Sequence, residues 1–179
     1  MKKSGQIALG GMMAALSMVV MMLTGLIPMG EFALPAIAGM FLIPIVTEIG
    51  YGAAWLTYGA VSLLSLIAAP SKECALYYVL FLGCYPLIKS FLERRRSRGV
   101  EWALKFLVFN VLAAAIAALA LWVFAFPGYE DLLRDAPWVI ALGWGFLNVV
   151  FLVYDLALTR LISGYIQWFR PRYIRKFFK

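Results

Sequence analysis

Residues 93–126 read ERRRSRGVEWALKFLVFNVLAAAIAALALWVFAF and decide the fold. A cluster of arginines precedes a stretch, 102–126, in which Lys105 is the only charged residue. About 20 mainly apolar residues are enough for a helix to cross roughly 30 Å of hydrocarbon. We therefore expect this stretch to be a transmembrane helix that begins at a basic loop.

The rest of the chain has the same character. Of its 179 residues, 64% are hydrophobic and 14% are charged, whereas soluble domains have about 25% charged residues. Six stretches meet or approach the length of a span, and the segments between them contain glycine, proline or charge. The predicted spans are 6–27, 32–49, 52–69, 74–92, 102–126 and 138–165. The predicted fold is an all-α integral membrane protein, a single domain (1–179) of about six transmembrane helices.

Lysine and arginine predict the orientation of these helices, because cytoplasmic loops retain positive residues. When alternate loops are assigned to opposite sides, fourteen of the sixteen basic residues fall on one side, and Lys72 and Arg134 fall on the other. Both termini are therefore expected in the cytoplasm. The last residues, 166–179, interleave aromatic and basic side chains and are expected to lie on anionic headgroups as an interfacial tail.

Several kinds of chemistry are excluded. The sequence has no histidine, which removes the usual zinc sites and histidine-based triads. It also has no Walker motif or phosphate-binding glycine loop. Cys74 and Cys84 lie about 15 Å apart along one predicted helix, too far for a disulfide. We expect no catalytic residues, no metal and no cofactor.

Small residues form a stripe on the first span. The pairs Gly10/Ala14 and Gly11/Ala15 follow the small-xxx-small pattern that lets two helices approach closely. One interpretation is packing against another helix of the same chain. The other is docking of a partner protein.

Polar residues inside the spans predict how two helices pair. Asn110 and Asn148 both fall near the middle of the membrane, and Lys105 and Asp155 share a depth closer to the cytoplasm. Unpartnered polar groups in hydrocarbon are costly, so such groups pair with each other. We expect hydrogen bonds between the asparagines and an ion pair between Lys105 and Asp155, which would make the fifth and sixth helices neighbours.

The extracytoplasmic side mixes acids, a lysine and aromatic residues. The candidates for substrate binding are Glu31, Lys72, Glu73, Tyr77, Tyr78, Trp138 and Trp144. Aromatic faces with a few orienting charges suit a small ring-bearing solute, and the segment from Pro28 to Pro35 suits a lid. The alternative is an ordinary aromatic belt at the membrane interface.

The chain opens with Ile7-Ala8-Leu9-Gly10-Gly11-Met12-Met13-Ala14-Ala15-Leu16-Ser17, and Gly39 and the Gly50-Tyr51-Gly52 turn punctuate its short second and third helices. With six helices in fewer than 200 residues, it resembles the substrate-binding S components of energy-coupling factor (ECF) transporters. The resemblance implies a bacterial cell-membrane protein whose outer half binds a vitamin or related micronutrient. It also implies a transmembrane coupling subunit docked on Gly10, Gly11, Ala14 and Ala15, and separate ATPases.

A second function class remains open. The chain is also similar to the rod-shape protein MreD, a small membrane scaffold with six spans that does not transport. An S component is expected to have a polar-lined outer cavity. A scaffold is expected to have a filled bundle and a cytoplasmic binding surface, for which the basic run Arg94–Arg98 is the candidate.

Overall fold

The computed structural model describes residues 3–27, 30–93, 98–124 and 137–174, and the regular structure in these ranges is entirely helical. The all-α prediction is confirmed. The α-helices are α1 Lys3–Leu23, α2 Ala33–Met40, α3 Leu42–Glu48, α4 Tyr51–Ala68, α5 Lys72–Tyr77, α6 Tyr85–Leu92, α7 Arg98–Phe124 and α8 Pro137–Gly164. Two segments are π-helical, π1 Tyr78–Leu82 and π2 Tyr165–Ile174.

Five helical stretches in the described ranges are long and apolar enough to cross a membrane. They are Lys3–Leu23, Tyr51–Ala68, Lys72–Leu92, Arg98–Leu119 and Trp138–Trp168. The second predicted span corresponds to Ala33–Glu48, which is shorter than these five stretches. It forms two helices, α2 and α3, with a break at Phe41. Pro44 explains the break, since it has no N–H to donate to the carbonyl of Met40, four residues earlier.

Pro86 has the same effect on the stretch from α5 to α6. It has no N–H for the Leu82 carbonyl, and the chain turns at Gly83 and Cys84 before α6 begins. Just before this turn, the Gly83 N–H bonds the Tyr78 carbonyl at 2.8 Å, which is the five-residue spacing of a π-helix. The Tyr58 hydroxyl donates to the Val79 carbonyl. The π-helical hydrogen bond of Gly83 therefore leaves the Val79 carbonyl without its usual α-helical donor, and the Tyr58 side chain from α4 supplies one.

The chain divides into two compact units. The first unit comprises Met1–Arg96 and Leu161–Lys179, and the second comprises Ser97–Arg160. The first contains α1 to α6, π1 and π2. The second contains most of the antiparallel helices α7 and α8.

The first unit has two layers of core residues. One layer contains Leu42, Ile45, Ala54 and Leu87, with Met13 packed on it. The other contains Met21, Ala38, Val61, Ala69, Ala75 and Tyr78. Along the chain, α1, the α2–α3 pair, α4 and the α5–α6 stretch each pass from one layer to the other, in alternating directions. Despite its length, Ala33–Glu48 therefore runs through both layers.

The C-terminal segment returns to the first unit. The π2 helix continues beyond the predicted end of the last span, and Arg170 Nε lies 2.7 Å from Glu48 Oε1 at the end of α3. This tail is predicted to lie on lipid headgroups. Within the described part of the tail, Arg170 contacts a carboxylate of the protein. Residues 175–179 of the predicted tail lie outside the described ranges.

Two helical segments of the first unit approach each other closely at Gly39. A Cβ atom there would overlap the Leu82 carbonyl oxygen and would lie 3.3 Å from the Gly83 Cα. Both obstacles are backbone, which cannot rotate away as a side chain can. Gly39 therefore lets α2 pack directly against the end of π1, where Pro86 has freed a carbonyl.

We expect Gly39→Ala to lower the free energy of unfolding by about 1–3 kcal/mol, because the added methyl forces α2 and π1 apart. The matched control is Gly59→Ala in α4, since nothing lies within 4 Å of a Cβ built at Gly59. Alanine favours a helix more than glycine, so the control is expected to keep or raise stability. Denaturation in detergent micelles measures both variants. Equal stability of the two would contradict the close approach.

Candidate functional site

Three of the predicted substrate-binding residues come together in the first unit. Glu31 and Phe32 immediately precede α2, while Glu73 and Tyr77 lie one helical turn apart on α5. The Phe32 ring stacks on the Tyr77 ring, with centroids 4.8 Å apart and planes inclined by 26°. Glu31, Phe32, Glu73 and Tyr77 are called the mouth cluster below.

The mouth cluster combines aromatic faces with negative charge. The carboxylates of Glu31 and Glu73 are both exposed, and both interact electrostatically with Tyr77. The Phe32 side chain is 62% exposed, so a face of the aromatic pair is open to solvent or solute. Carboxylates and aromatic faces both attract cations. The arrangement therefore suits a positively charged, ring-bearing molecule.

Lys72 has a different role from the one predicted. Its Nζ donates to the carbonyls of Leu66 and Ile67, at 2.9 and 3.0 Å, in the last turn of α4. These carbonyls lack partners within their own helix, and a cation at a helix C-terminus also meets the favourable end of the helix dipole. The ammonium of Lys72 is thus held by the end of α4, and its charge serves to cap that helix.

Tyr78 is not at the surface beside Tyr77. It is fully buried in the core layer that contains Met21, and its ring lies against Gly83. Its hydroxyl has no hydrogen-bond partner among the described residues. The correction follows from helix geometry, because adjacent residues on a helix point in directions about 100° apart.

The two predicted tryptophans belong to the second unit. The indole Nε1 of Trp144 donates to Asn110 Oδ1 at 2.7 Å, so Trp144 takes part in a polar contact between α7 and α8. Trp138, at the start of α8, is 62% exposed. Phe32, by contrast, joins the mouth cluster although the sequence analysis includes it only in the lid. The sequence signal that could have identified Phe32 as a site residue is its position next to Glu31, immediately before α2.

The predicted lid is shorter than expected. Pro28 and Met29 lie outside the described residues, and Ala33 already belongs to α2. Leu34 and Pro35 are buried in the first turn of that helix. Within the predicted lid, the described residues that lie outside α-helix are therefore Gly30 to Phe32.

The small-residue pairs of α1 lie on two different faces. Ala14 packs against the core layer that contains Met21, whereas Gly11 and Ala15 are exposed. No described atom comes within 4 Å of a Cβ built at Gly10 or Gly11. Close packing within the chain therefore does not occur at either glycine among the described residues. The Gly11/Ala15 pair is open, with Ile7 and Met12 exposed beside it.

Both predicted polar pairs are present in the second unit. The side chains of Asn110 and Asn148 exchange two hydrogen bonds, at 3.0 and 3.3 Å. Each amide also donates to a carbonyl four residues earlier on its own helix, Phe106 or Trp144. These bonds satisfy the amide groups locally, which removes most of the cost of placing asparagine in hydrocarbon.

Lys105 forms a buried charged contact between α7 and α8. Its Nζ lies 3.1 Å from Asp155 Oδ2 and 2.8 Å from Glu101 Oε1, and it sits 5.1 Å from the centre of the Trp102 ring. The side chains of Lys105 and Asp155 are 2% and 1% exposed. Glu101 was not among the predicted partners of Lys105, although a spacing of four residues on one helix is the expected signal of an ion pair.

Comparison of the sequence with family models and with curated proteins, and of the structure with solved structures, gives no match. The resemblance to S components therefore rests on the pattern of helices and on the small-residue motif of α1. Any assignment of function depends on the arrangement of this chain's own residues.

We expect Lys105→Met to lower the free energy of unfolding by about 3–5 kcal/mol, because it leaves buried carboxylates without their ammonium. Asp155→Asn is expected to cost less, since Lys105 keeps its contact with Glu101. Arg98→Gln removes an exposed positive charge at the start of the same helix and serves as the control. Denaturation in micelles ranks the three variants. A loss for Lys105→Met no larger than that for Arg98→Gln would contradict the structural role of the contact.

Proposed function

We propose that this chain is the substrate-binding membrane subunit of an ECF-type micronutrient uptake transporter in a bacterial cell membrane, with ATP hydrolysis supplied by partner subunits. The observation that carries the proposal is the mouth cluster, a stacked aromatic pair with two exposed carboxylates that interact with it. Such a group offers binding area and charge to a small solute. The chain itself is proposed to bind the solute rather than to act on it.

Two observations support six crossings with both termini on the same side of the membrane, and the distribution of lysine and arginine favours the cytoplasm for that side. The first is the alternation of α1, α2–α3, α4 and α5–α6 between the two core layers, which gives Ala33–Glu48 the direction of a crossing. The second is the contact of Arg170 with Glu48, which requires an even number of crossings between these residues. In the proposed topology there are four crossings between them, made by α4, the α5–α6 stretch, α7 and α8.

The proposed topology puts the mouth cluster outside the cell. It lies at the same end of the first unit as Lys72, one of the two basic residues that the charge distribution assigns to the outer side. Because the ammonium of Lys72 is bound to carbonyls of α4, the mouth cluster keeps its negative character. The substrate favoured by this charge is a cationic micronutrient that contains a planar ring.

The exposed face of α1 supports docking of a coupling subunit. Gly11 and Ala15 leave the backbone of α1 accessible, and no described residue fills the space beside Gly11. In lipid, helices associate through such surfaces because small residues allow van der Waals contact and close backbone approach. Gly10 and Ala14 lie at the edge of this face, nearer the core.

A membrane scaffold is the second candidate, and the interior of the first unit favours it. The rings of Tyr78 and Tyr85 are fully buried there, which is the filled bundle that a scaffold requires. Of its proposed binding surface, Arg94 to Arg98, only Arg98 lies within the described residues, and it is exposed. The two functions differ in whether a small molecule is retained, so binding at the mouth cluster separates them.

We expect Tyr77→Ala to reduce retention of the co-purifying small molecule at least about tenfold, because it removes the stacked face. Tyr77→Phe keeps the ring and is expected to retain the molecule. Phe91→Ala removes an exposed aromatic ring from α6 and is the control. Mass spectrometry of extracts from the purified variants measures retention. If the wild-type chain retains no small molecule when purified from its native membrane, the scaffold replaces the transporter as the proposed function.

We expect Ala15→Leu to abolish co-purification of the coupling subunit and ATPases, because the larger side chain fills the exposed surface of α1. Ala14 is less suitable for substitution, since it contacts the core. Ala60→Leu, at an exposed alanine of α4, is the matched control. Quantitative mass spectrometry of tagged complexes compares the variants. Equal recovery of partners with Ala15→Leu and Ala60→Leu would contradict docking on this face.

A further inference from the structure

The contact between Glu48 and Arg170 joins two parts of the chain that are far apart in sequence. Glu48 is the last residue of α3, where a carboxylate meets the unfavourable negative end of the helix dipole. Arg170 Nε lies 2.7 Å from its Oε1 and offers compensating charge. Tyr165, at the start of π2, also interacts with Thr47 and Glu48. The end of α3 therefore holds the beginning and the middle of π2.

The two partners differ in their access to the surroundings. The Glu48 side chain is 9% exposed, whereas the Arg170 side chain is 42% exposed. An arginine in this position is accessible to a second acceptor while it remains beside the first. Phosphate oxygens accept paired hydrogen bonds from a guanidinium, as carboxylate oxygens do. A phospholipid headgroup is therefore a chemical substitute for Glu48.

The sequence around Arg170 favours that substitute. The segment Trp168-Phe169-Arg170-Pro171-Arg172-Tyr173-Ile174-Arg175-Lys176-Phe177-Phe178-Lys179 contains five basic residues and no acidic one. Clusters of basic residues next to a transmembrane helix bind anionic lipid surfaces, and interleaved aromatic residues suit the interface. Glu48 supplies a single carboxylate. An anionic bilayer supplies many headgroups to the same segment.

We propose that Glu48 and anionic phospholipid headgroups compete for Arg170, so that the C-terminal segment acts as a lipid-responsive latch. In a neutral bilayer Arg170 stays on Glu48 and π2 is docked at the end of α3. In a bilayer rich in anionic lipid, Arg170 transfers to a headgroup phosphate, π2 leaves α3, and the surface around Glu48 is uncovered. This device does not depend on the proposed transport function.

The test uses the full chain in nanodiscs with spin labels at Gln167→Cys and Leu63→Cys, both at exposed positions. Pulsed electron paramagnetic resonance measures the distance between the labels. In phosphatidylcholine we expect one docked distance. In phosphatidylglycerol we expect a second, undocked population, with the undocked-to-docked ratio raised at least about tenfold, because Arg170 exchanges its ion pair with Glu48 for one with a headgroup phosphate.

Glu48→Gln identifies the competitor. It is expected to show the undocked population already in phosphatidylcholine, while Glu31→Gln removes an exposed carboxylate elsewhere in the first unit and is expected to stay docked. The latch is excluded if phosphatidylglycerol leaves the wild-type distance unchanged. It is also excluded if Glu48→Gln remains docked in phosphatidylcholine, because the lipid would then be acting on some other contact.

Discussion

The backbone hydrogen bond is the constraint on which the rest of this structure depends. In hydrocarbon no water replaces a missing partner, so each N–H and C=O must be satisfied by the protein. Pro44 and Pro86 have no N–H, so each leaves the carbonyl four residues earlier without its usual donor. The helix is interrupted near each of them. At Pro44 the second predicted span becomes two short helices. At Pro86 the chain forms a π turn followed by a break, and the side chain of Tyr58 binds a backbone carbonyl nearby.

The break near Pro86 also determines which residues meet. The Leu82 carbonyl that Pro86 leaves without its usual donor is the group that approaches Gly39 most closely. A side chain at position 39 would separate the helices at this point. One proline on one helix and one glycine on another therefore act together. Neither is conspicuous alone in a sequence with eight prolines and fifteen glycines.

Sequence alone was most successful where depth in the membrane determines the partner. Lys105 and Asp155 meet, as do Asn110 and Asn148, because the helical rise per residue fixes the depth of each and polar groups at equal depth pair. Helices were also predicted correctly in most of the long apolar stretches, because the length of an apolar stretch is itself the signal of a spanning helix. These predictions need no knowledge of tertiary packing beyond which helices are neighbours.

The candidate site was predicted less completely, because its residues depend on local backbone geometry. Lys72 was expected at the site, yet its ammonium donates to two carbonyls in the last turn of α4. Tyr78 was grouped with Tyr77, but the turn of the helix directs it into the core. The contact of Glu48 with Arg170 joins residues that are far apart in the sequence, and no periodicity in the sequence indicates it.

The first helix shows how one motif can serve two surfaces. Gly10/Ala14 and Gly11/Ala15 differ in position by one residue, and one residue on a helix is a rotation of about 100°. Ala14 consequently contacts the core, while Ala15 faces outward. The two interpretations of the small-residue stripe, packing within the chain and docking of a partner, are therefore not exclusive. The inner residue contributes to the fold, and the outer pair remains accessible, since no described atom lies within 4 Å of a Cβ built at Gly11.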